Sequence, residues 1–205
     1  MKNLMKMSKL LAFVSAFAFA VSFAHATSIN VQVLDQAGAP VPDAVVYAMP
    51  VNGKLPASKP APAIIDQVKR RFVPMVSVVQ TGAAVTFPNK DNIEHDVYSF
   101  SPAKRFELNL YHGIPANPVT FDKPGLVVMG CNIHDTMVAY LLIVETPYFA
   151  RTDANGTATL TVPPDSYKLI AWHFRLTDPN AQPTQKVAAN TDAATKFSLQ
   201  LKKAE

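Results

Sequence analysis

Residues 130–137 read Gly130-Cys131-Asn132-Ile133-His134-Asp135-Thr136-Met137 and carry the most informative pattern in the chain. A cysteine, a histidine and a methionine follow one another with two residues between each. The flanking runs Leu126–Met129 and Val138–Val144 are apolar and rich in β-branched residues, which predicts a strand on either side. The octapeptide is therefore expected to be a tight loop that turns a thiolate, an imidazole and a thioether toward one centre.

A further ligand is expected from His95, which lies 36 residues before Cys131 at the start of another predicted strand. Two histidines, one cysteine and a distant axial methionine form the ligand set of blue-copper sites. Zinc also binds cysteine and histidine, but its fourth ligand is a carboxylate, nitrogen or thiolate. Taken singly, Cys131 reads equally well as a buried apolar residue. The combination favours one copper ion held by His95, Cys131, His134 and Met137.

In these segments the sequence resembles the cupredoxins. The ligand loop is similar to that of amicyanin, and Asn92–Val97 stands where the family has its first-ligand segment. A closer resemblance, from Ile64 to about His173, is to plastocyanin-like proteins grouped as "methylamine utilisation protein", a name that does not show methylamine to be involved here. The segments that carry it are Asp66–Val68, Arg71–Pro74, Phe87–Asn89, Val97–Lys104, Phe121–Gly125, Gly130–Asp135 and Thr146–Phe149.

The resemblance implies that His95 and His134 bind copper through imidazole nitrogen, Cys131 through its thiolate and Met137 weakly on the axis. Asp96 stands where cupredoxins usually have asparagine, a residue that ties the two ligand segments together by hydrogen bonds. Asp96 and Asn132 are accordingly expected to support the ligands without binding the metal. An ionised Asp96 would favour Cu(II) and lower the reduction potential, which is a hypothesis.

The expected fold class is all-β, with a cupredoxin Greek-key β-sandwich. Alternating apolar residues predict short strands along the whole chain after residue 26, and turn residues such as Thr81-Gly82 and Asn155-Gly156 separate them. The segment Ala63–Arg71 is the one place where one or two helical turns are expected. The remaining predicted strands are Ile29–Leu34, Val45–Ala48, Val76–Val79, Val85–Phe87, Val97–Phe100, Phe106–Leu110, Thr157–Val162, Tyr167–Trp172 and Phe197–Leu201.

The segments on either side of the copper stretch resemble a carboxypeptidase-regulatory or transthyretin-like β-sandwich. Val31–Val46 is similar to its first hairpin, and the residues from Thr152 onward are similar to its later strands. The predicted organisation is a first transthyretin-like part at 27–49, a proline-rich linker at 50–63, a cupredoxin domain at 64–145 and a second transthyretin-like part at 146–205. The cupredoxin domain would then be an insertion. Alternatively, the flanking strands extend the cupredoxin sandwich.

Residues 1–26 have the pattern of a secretory signal peptide. Three lysines precede the apolar run Leu10–Phe23, and Ala24-His25-Ala26 offers a small-residue cleavage site. About 14 apolar residues fall short of the roughly 20 that a membrane span needs. A cleaved signal, a periplasmic location and no stable membrane insertion are therefore expected. Removal of the signal leaves 16 basic and 15 acidic residues, so a nucleic-acid surface is not expected.

These observations predict a periplasmic type 1 copper protein that carries single electrons and is not an enzyme. It is expected to act as a monomer, with a periplasmic redox protein or dehydrogenase as partner. His134 is the expected point of electron exit, within an apolar patch formed by Met75, Ile93, Ile133 and Pro115. Two alternatives remain: a copper-binding or delivery protein without an electron-transfer role, and a binding module with a structural metal.

The other histidines and the short basic runs have simpler explanations. His112 is expected in a solvated loop, and His173 is expected to pack or cap at the end of a strand. Lys69-Arg70-Arg71 and Lys104-Arg105 are expected to be solvated, with docking of a redox partner as the alternative.

Overall fold

The computed structural model describes residues 26–179 and 181–203. Within them the chain forms seventeen strands and no helix, which confirms the all-β fold class. The expected signal peptide, apart from Ala26, lies outside the described residues. No helix in this part of the chain could cross a membrane. In chain order the strands are β1 (Thr27–Asp35), β2 (Val45–Pro50), β3 (Ala63–Ile64), β4 (Asp66–Gln67), β5 (Phe72–Val73), β6 (Val76–Gln80), β7 (Ala83–Thr86), β8 (His95–Ser101), β9 (Lys104–Tyr111), β10 (Val119–Phe121), β11 (Gly125–Gly130), β12 (Val138–Val144), β13 (Phe149–Arg151), β14 (Thr157–Val162), β15 (Ser166–Trp172), β16 (Thr184–Ala188) and β17 (Ala193–Leu199).

Strand β12 links two hydrophobic cores because both of its faces are buried. Ala139, Leu141 and Ile143 point into one core, whereas Leu142 and Val144 belong to the other. Successive side chains of a strand point to opposite faces, so a strand covered on both sides needs a continuous apolar sequence. This explains why β12 lacks the polar alternation of most other strands.

The first core belongs to a sandwich that we call the copper-side sandwich. It consists of the five-stranded sheet β6-β12-β11-β8-β9 and the three-stranded sheet β10-β7-β3. Phe87, Phe106 and Phe121 pack together in its core, with ring centroids 5.7–6.5 Å apart. Cys131 and Met137 are members of the same core. The candidate ligands are therefore attached directly to the packed interior.

The second core belongs to the flanking sandwich, formed by the sheets β14-β1-β17 and β13-β2-β15-β16. β1 pairs antiparallel with β14 and parallel with β17, so the two ends of the chain share one sheet. Trp172 and Tyr167 are its largest buried side chains. An inserted cupredoxin domain requires such pairing between the flanking segments. The domain boundaries and the transthyretin-like identity of this part stay predictions.

The segment Ala63–Arg71 differs from its prediction, because it forms short strands and a turn in place of helical turns. Val68 and Arg71 exchange backbone hydrogen bonds of 2.9 and 3.1 Å across a tight turn between β4 and β5. Lys69 and Arg70 there have φ of 52° and 56°, in the left-handed region. The prediction of a helix is therefore wrong. The turn could not be recognised from the sequence because its two central residues are lysine and arginine, where glycine or asparagine is usual.

Candidate metal centre

The ligand loop consists of two successive turns, and this explains its spacing. The backbone N–H of His134 donates to the Cys131 carbonyl at 3.4 Å, and that of Met137 donates to the His134 carbonyl at 2.9 Å. Each turn therefore begins at one candidate ligand and ends at the next. The loop follows β11 directly and leads into β12, as the sequence predicted.

The structure brings Cys131, His95 and His134 together at one point. The Cys131 Sγ lies 3.9 Å from the Nδ1 of His95 and 3.9 Å from the Nδ1 of His134. The three donor atoms all lie within 4.8 Å of one another. Metal bonds of about 2.0–2.3 Å place neighbouring ligand atoms of a trigonal site about 3.5–4 Å apart. The two distances from the Cys131 sulfur match this range, so the three donors are close enough to converge on a single metal ion.

Met137 is the fourth candidate ligand, and its side chain is buried at the end of the copper-side core. Thiolate and thioether are soft ligands that favour copper. A donor set of two imidazoles, one thiolate and a thioether therefore fits copper better than zinc. The assignment of these four residues as copper ligands stays a prediction.

Asp91 contacts His95 through the ring nitrogen that does not face Cys131, a contact that was not predicted from the sequence. Its Oδ2 lies 2.8 Å from the Nε2 of the buried His95 ring. With Nε2 protonated toward this carboxylate, Nδ1 is the nitrogen that is free to bind a metal. Asp91 lies four residues before His95, but a carboxylate in a loop is usually solvated, so the spacing alone carried no signal.

Asp91 is itself held by the turn between β4 and β5. The backbone amides of Lys69 and Arg70 donate to its two carboxylate oxygens at 2.6 and 2.8 Å. Burial raises the pKa of the Asp91 carboxyl, but these bonds and the His95 ring outweigh it and bring the pKa below its ordinary value. The left-handed backbone of the turn is thus fixed by the same carboxylate that orients His95.

A second set of polar groups, also missed from the sequence, shapes the segment that leads to His95. The Asn89 side-chain amide donates to the carbonyls of Ile93 and Tyr111 at 2.8 Å each, and its Oδ1 accepts the Asp91 amide at 3.0 Å. The Tyr111 hydroxyl donates to the Phe87 carbonyl at 2.6 Å. These bonds join the segment to β9, the strand that pairs with β8 at His95.

Asp96 and Asn132 connect the two ligand segments. One Asp96 oxygen accepts the Asn132 backbone amide at 2.8 Å, and the other accepts its side-chain amide at 2.6 Å. Aspartate can therefore make the hydrogen bonds expected of the family's asparagine at this position. The connection joins the residue after His95 to the residue after Cys131.

The environment of Cys131 opposes ionisation of the free thiol. Burial raises its pKa, and the nearby Asp96 carboxylate adds to the increase. Hydrogen bonds from the backbone amides of Ile133 and Asp96 act in the opposite direction but are outweighed. A metal ion must displace the thiol proton as it binds, so metal affinity is expected to increase with pH.

His134 is the most accessible of the four candidate ligands. It is half-buried, whereas His95, Cys131 and Met137 are buried. In the predicted apolar patch, Ile133 is 51% exposed and Met75 is 40% exposed, and the other two members are half-buried.

The two remaining described histidines lie elsewhere. His112 is exposed in a loop, and His173 is buried in the flanking sandwich. Neither belongs to the cluster formed by Cys131, His95 and His134.

Comparisons with known proteins give structural similarity only. No family model matches the chain, and no curated protein sequence matches it. A Cu-containing nitrite reductase (NirK) from Thermus scotoductus SA-01 is similar at 26% identity over 47% of this chain and 25% of its own, with a TM-score of 0.39. A pseudoazurin from Sinorhizobium meliltoi is similar at 22% identity, over 42% of this chain and 76% of its own, with a TM-score of 0.34.

A purple cupredoxin from Nitrosopumilus maritimus is similar at 18% identity over 40% of this chain and 99% of its own, with a TM-score of 0.36. The three TM-scores lie between 0.34 and 0.39. Each of the three covers less than half of this chain, and the likeness spans only about a quarter of the nitrite reductase.

Proposed function

We propose that the protein is a periplasmic type 1 copper protein that transfers single electrons between redox partners. The observation that supports this most directly is the buried Cys131 sulfur, which faces the Nδ1 atoms of His95 and His134 at 3.9 Å each. A buried thiolate between two imidazoles, with a buried methionine in the same loop, matches the ligand set of electron-transfer copper sites.

Copper, when bound, supplies a one-electron couple between Cu(II) and Cu(I). The residues of this chain keep the donor atoms in place for both states. Asp91 fixes the orientation of His95, and Asp96 fixes the start of the ligand loop through Asn132. Burial of Cys131 and Met137 in the core excludes water from the centre. Half-buried His134 is the edge through which an electron leaves or enters.

The proposal includes location and partners. Export by the signal at residues 1–26 would place the protein in the periplasm as a monomer without membrane insertion. The electron donor or acceptor would be a periplasmic redox protein or dehydrogenase, and the protein itself would catalyse no reaction of a substrate.

The visible absorption spectrum after addition of Cu(II) tests this function. We expect an intense blue band from the thiolate–copper bond, which disappears on reduction and is absent in Cys131→Ser and His95→Gln. The matched control is His112→Gln, which removes an exposed loop histidine and should leave the band unchanged. A colourless protein that folds normally and binds no Cu(II) would contradict the proposal.

A second candidate is copper binding or delivery without electron transfer, because soft thiolate and thioether donors also select Cu(I). Repeated oxidation and reduction in the presence of a Cu(I) chelator separates the two functions. An electron carrier retains its copper through many cycles, whereas a delivery protein passes Cu(I) to the chelator.

A further inference from the structure

We propose that the electron-transfer partner docks through an acidic surface onto a basic face to which both sandwiches contribute. This face, the Met75 face, consists of Arg71, Val73, Met75, Phe174, Arg175 and Lys202. The inference rests on the proposed function and adds to it the chemistry of the partner. It also gives the flanking sandwich a role in recognition.

The first half of the Met75 face lies beside the ligand loop. Arg71, Val73 and Met75 line a groove of about 580 Å³ together with Thr136 and Val138. Thr136 and Val138 are the two sequence neighbours of Met137. A partner side chain in this groove therefore contacts the loop that carries Met137.

The second half begins at the same methionine and extends onto the flanking sandwich. Met75 also lines a second cavity of about 580 Å³, whose lining includes Phe174, Arg175 and Lys202. The Phe174 ring stacks on Tyr140 of β12 at a centroid distance of 4.8 Å. The aromatic stack joins the two sandwiches and gives the face a continuous apolar centre.

The charges along this face are mostly positive and unpaired. Within residues 26–179 and 181–203, Arg71, Arg175 and Lys202 form no ion pair. Lys203 also lines the second cavity. The acid that lines this cavity, Asp43, forms an ion pair with Arg151 at 3.2 Å. A second acid, Asp135, is exposed in the ligand loop next to Thr136.

This arrangement fits a protein surface that carries carboxylates around an apolar centre. Complementary charges around a small apolar contact increase the rate of encounter more than the final affinity, which suits a transient electron-transfer complex. The two concave grooves receive protruding acidic side chains better than a flat layer of lipid headgroups. The chain has a net charge of only +1 without residues 1–26, so the basic character is local.

Electron-transfer kinetics test the charge of the face. The reduced, copper-loaded protein gives one electron to hexacyanoferrate(III), which becomes hexacyanoferrate(II) while Cu(I) becomes Cu(II). We expect Arg175→Glu and Lys202→Glu each to slow this reaction by up to about tenfold at low salt. Both variants should accelerate oxidation by the cationic tris(phenanthroline)cobalt(III). The matched control, Lys186→Glu, makes the same charge change at an exposed residue of β16 that lies outside the Met75 face, and it should stay within about twofold of the native rate.

Binding of short poly-L-glutamate tests the position of the face without electron transfer. We expect amide chemical-shift changes at Met75, Phe174 and Arg175 that disappear in Arg175→Glu and persist in Lys186→Glu. Changes spread evenly over unrelated lysines, or equal effects of both substitutions, would overturn the proposal. Tighter binding to phosphatidylserine-containing vesicles than to poly-L-glutamate would also overturn it, in favour of a membrane surface.

The two proposals fail in different ways. Absence of the blue band contradicts the electron-transfer function, while the poly-L-glutamate titration still locates the face in the copper-free protein. A normal blue band with kinetics insensitive to Arg175→Glu contradicts the acidic partner alone.

Discussion

Each sandwich contains a buried histidine, and the two are used in different ways. In the copper-side sandwich, His95 uses Nε2 to contact Asp91 and leaves Nδ1 facing Cys131. In the flanking sandwich, the Nδ1 of His173 is occupied by a backbone hydrogen bond, because it accepts the Arg175 amide at 3.1 Å.

Burial alone therefore does not distinguish a ligand from a structural histidine. A nitrogen that has no backbone partner and faces another donor atom identifies the ligand. His173 is a neutral structural residue whose pKa is lowered to about 4 by burial and by the nearby Arg175 charge.

Gly156→Ala should disrupt the flanking sandwich while leaving the ligands in place. Gly156 has φ of +70°, and a Cβ there would lie 2.5 Å from the Val33 carbonyl oxygen. We expect the free energy of unfolding to fall by about 3 kcal/mol or more. Gly38→Ala is the matched control, because Gly38 also has a positive φ but open space around it, so the loss should be about 1 kcal/mol. Urea unfolding measures both, and equal losses would contradict the close backbone contact.

Acid should destabilise the flanking sandwich through His173. The pKa of His173 is about 4 in the folded protein, whereas an ordinary histidine has a pKa of 6.5, so the unfolded chain binds more protons between these values. The contribution of neutral His173 to the free energy of unfolding is therefore complete above pH 6.5. It decreases as the pH falls toward 4, by at most about 3 kcal/mol. His173→Gln removes this titration, and a pH profile of unfolding that keeps the same slope in the variant would show that another group is responsible.

Asp91→Asn should weaken copper binding, because the amide replaces the carboxylate that orients His95. Loss of such a supporting hydrogen bond typically costs 10–100-fold in metal affinity, so we expect a decrease of about that size. Competition with a chelator of known affinity measures it. Asp122→Asn, at an exposed acid that pairs with Lys104, is the control and should leave the affinity unchanged.

Asp96→Asn should give the smallest effect, an increase in reduction potential on the order of 50 mV. The substitution removes a negative charge near the metal and keeps the side-chain shape, so the Cu(II) state loses more stabilisation than the Cu(I) state. Protein-film voltammetry measures the shift, and an unchanged potential would remove the tuning role of Asp96.

The ligand loop and the Asp96–Asn132 connection were predictable from the sequence, whereas the support that Asp91 gives to His95 was not. The spacing of Cys131, His134 and Met137 depends on local turn geometry, and the structure shows the expected tight loop, built from two turns. The contacts of Asp91 with His95 and with the β4–β5 turn depend on two loops folding against each other. A carboxylate in a polar loop gives no local signal of such a contact.

The missed strands have a similar explanation. β16 is the edge of its sheet, and its burial alternates between exposed and half-buried, so it lacks the apolar pattern on which strand prediction relies. The two-residue strands β3, β4 and β5 are too short to show any period. They are fixed by pairing with partners that the local sequence does not reveal.

The parallel pairing of β1 with β17 has a mechanical consequence. Seven register pairs, from Ile29 with Ala193 to Asp35 with Leu199, align the two strands. In a parallel pair the outer ends of the chain leave at opposite ends of the ladder, so tension applied to them acts along the strands. All of the backbone hydrogen bonds between β1 and β17 are then loaded in shear at the same time. The copper-side sandwich lies between these two strands in the sequence, so it bears no tension until their pairing breaks.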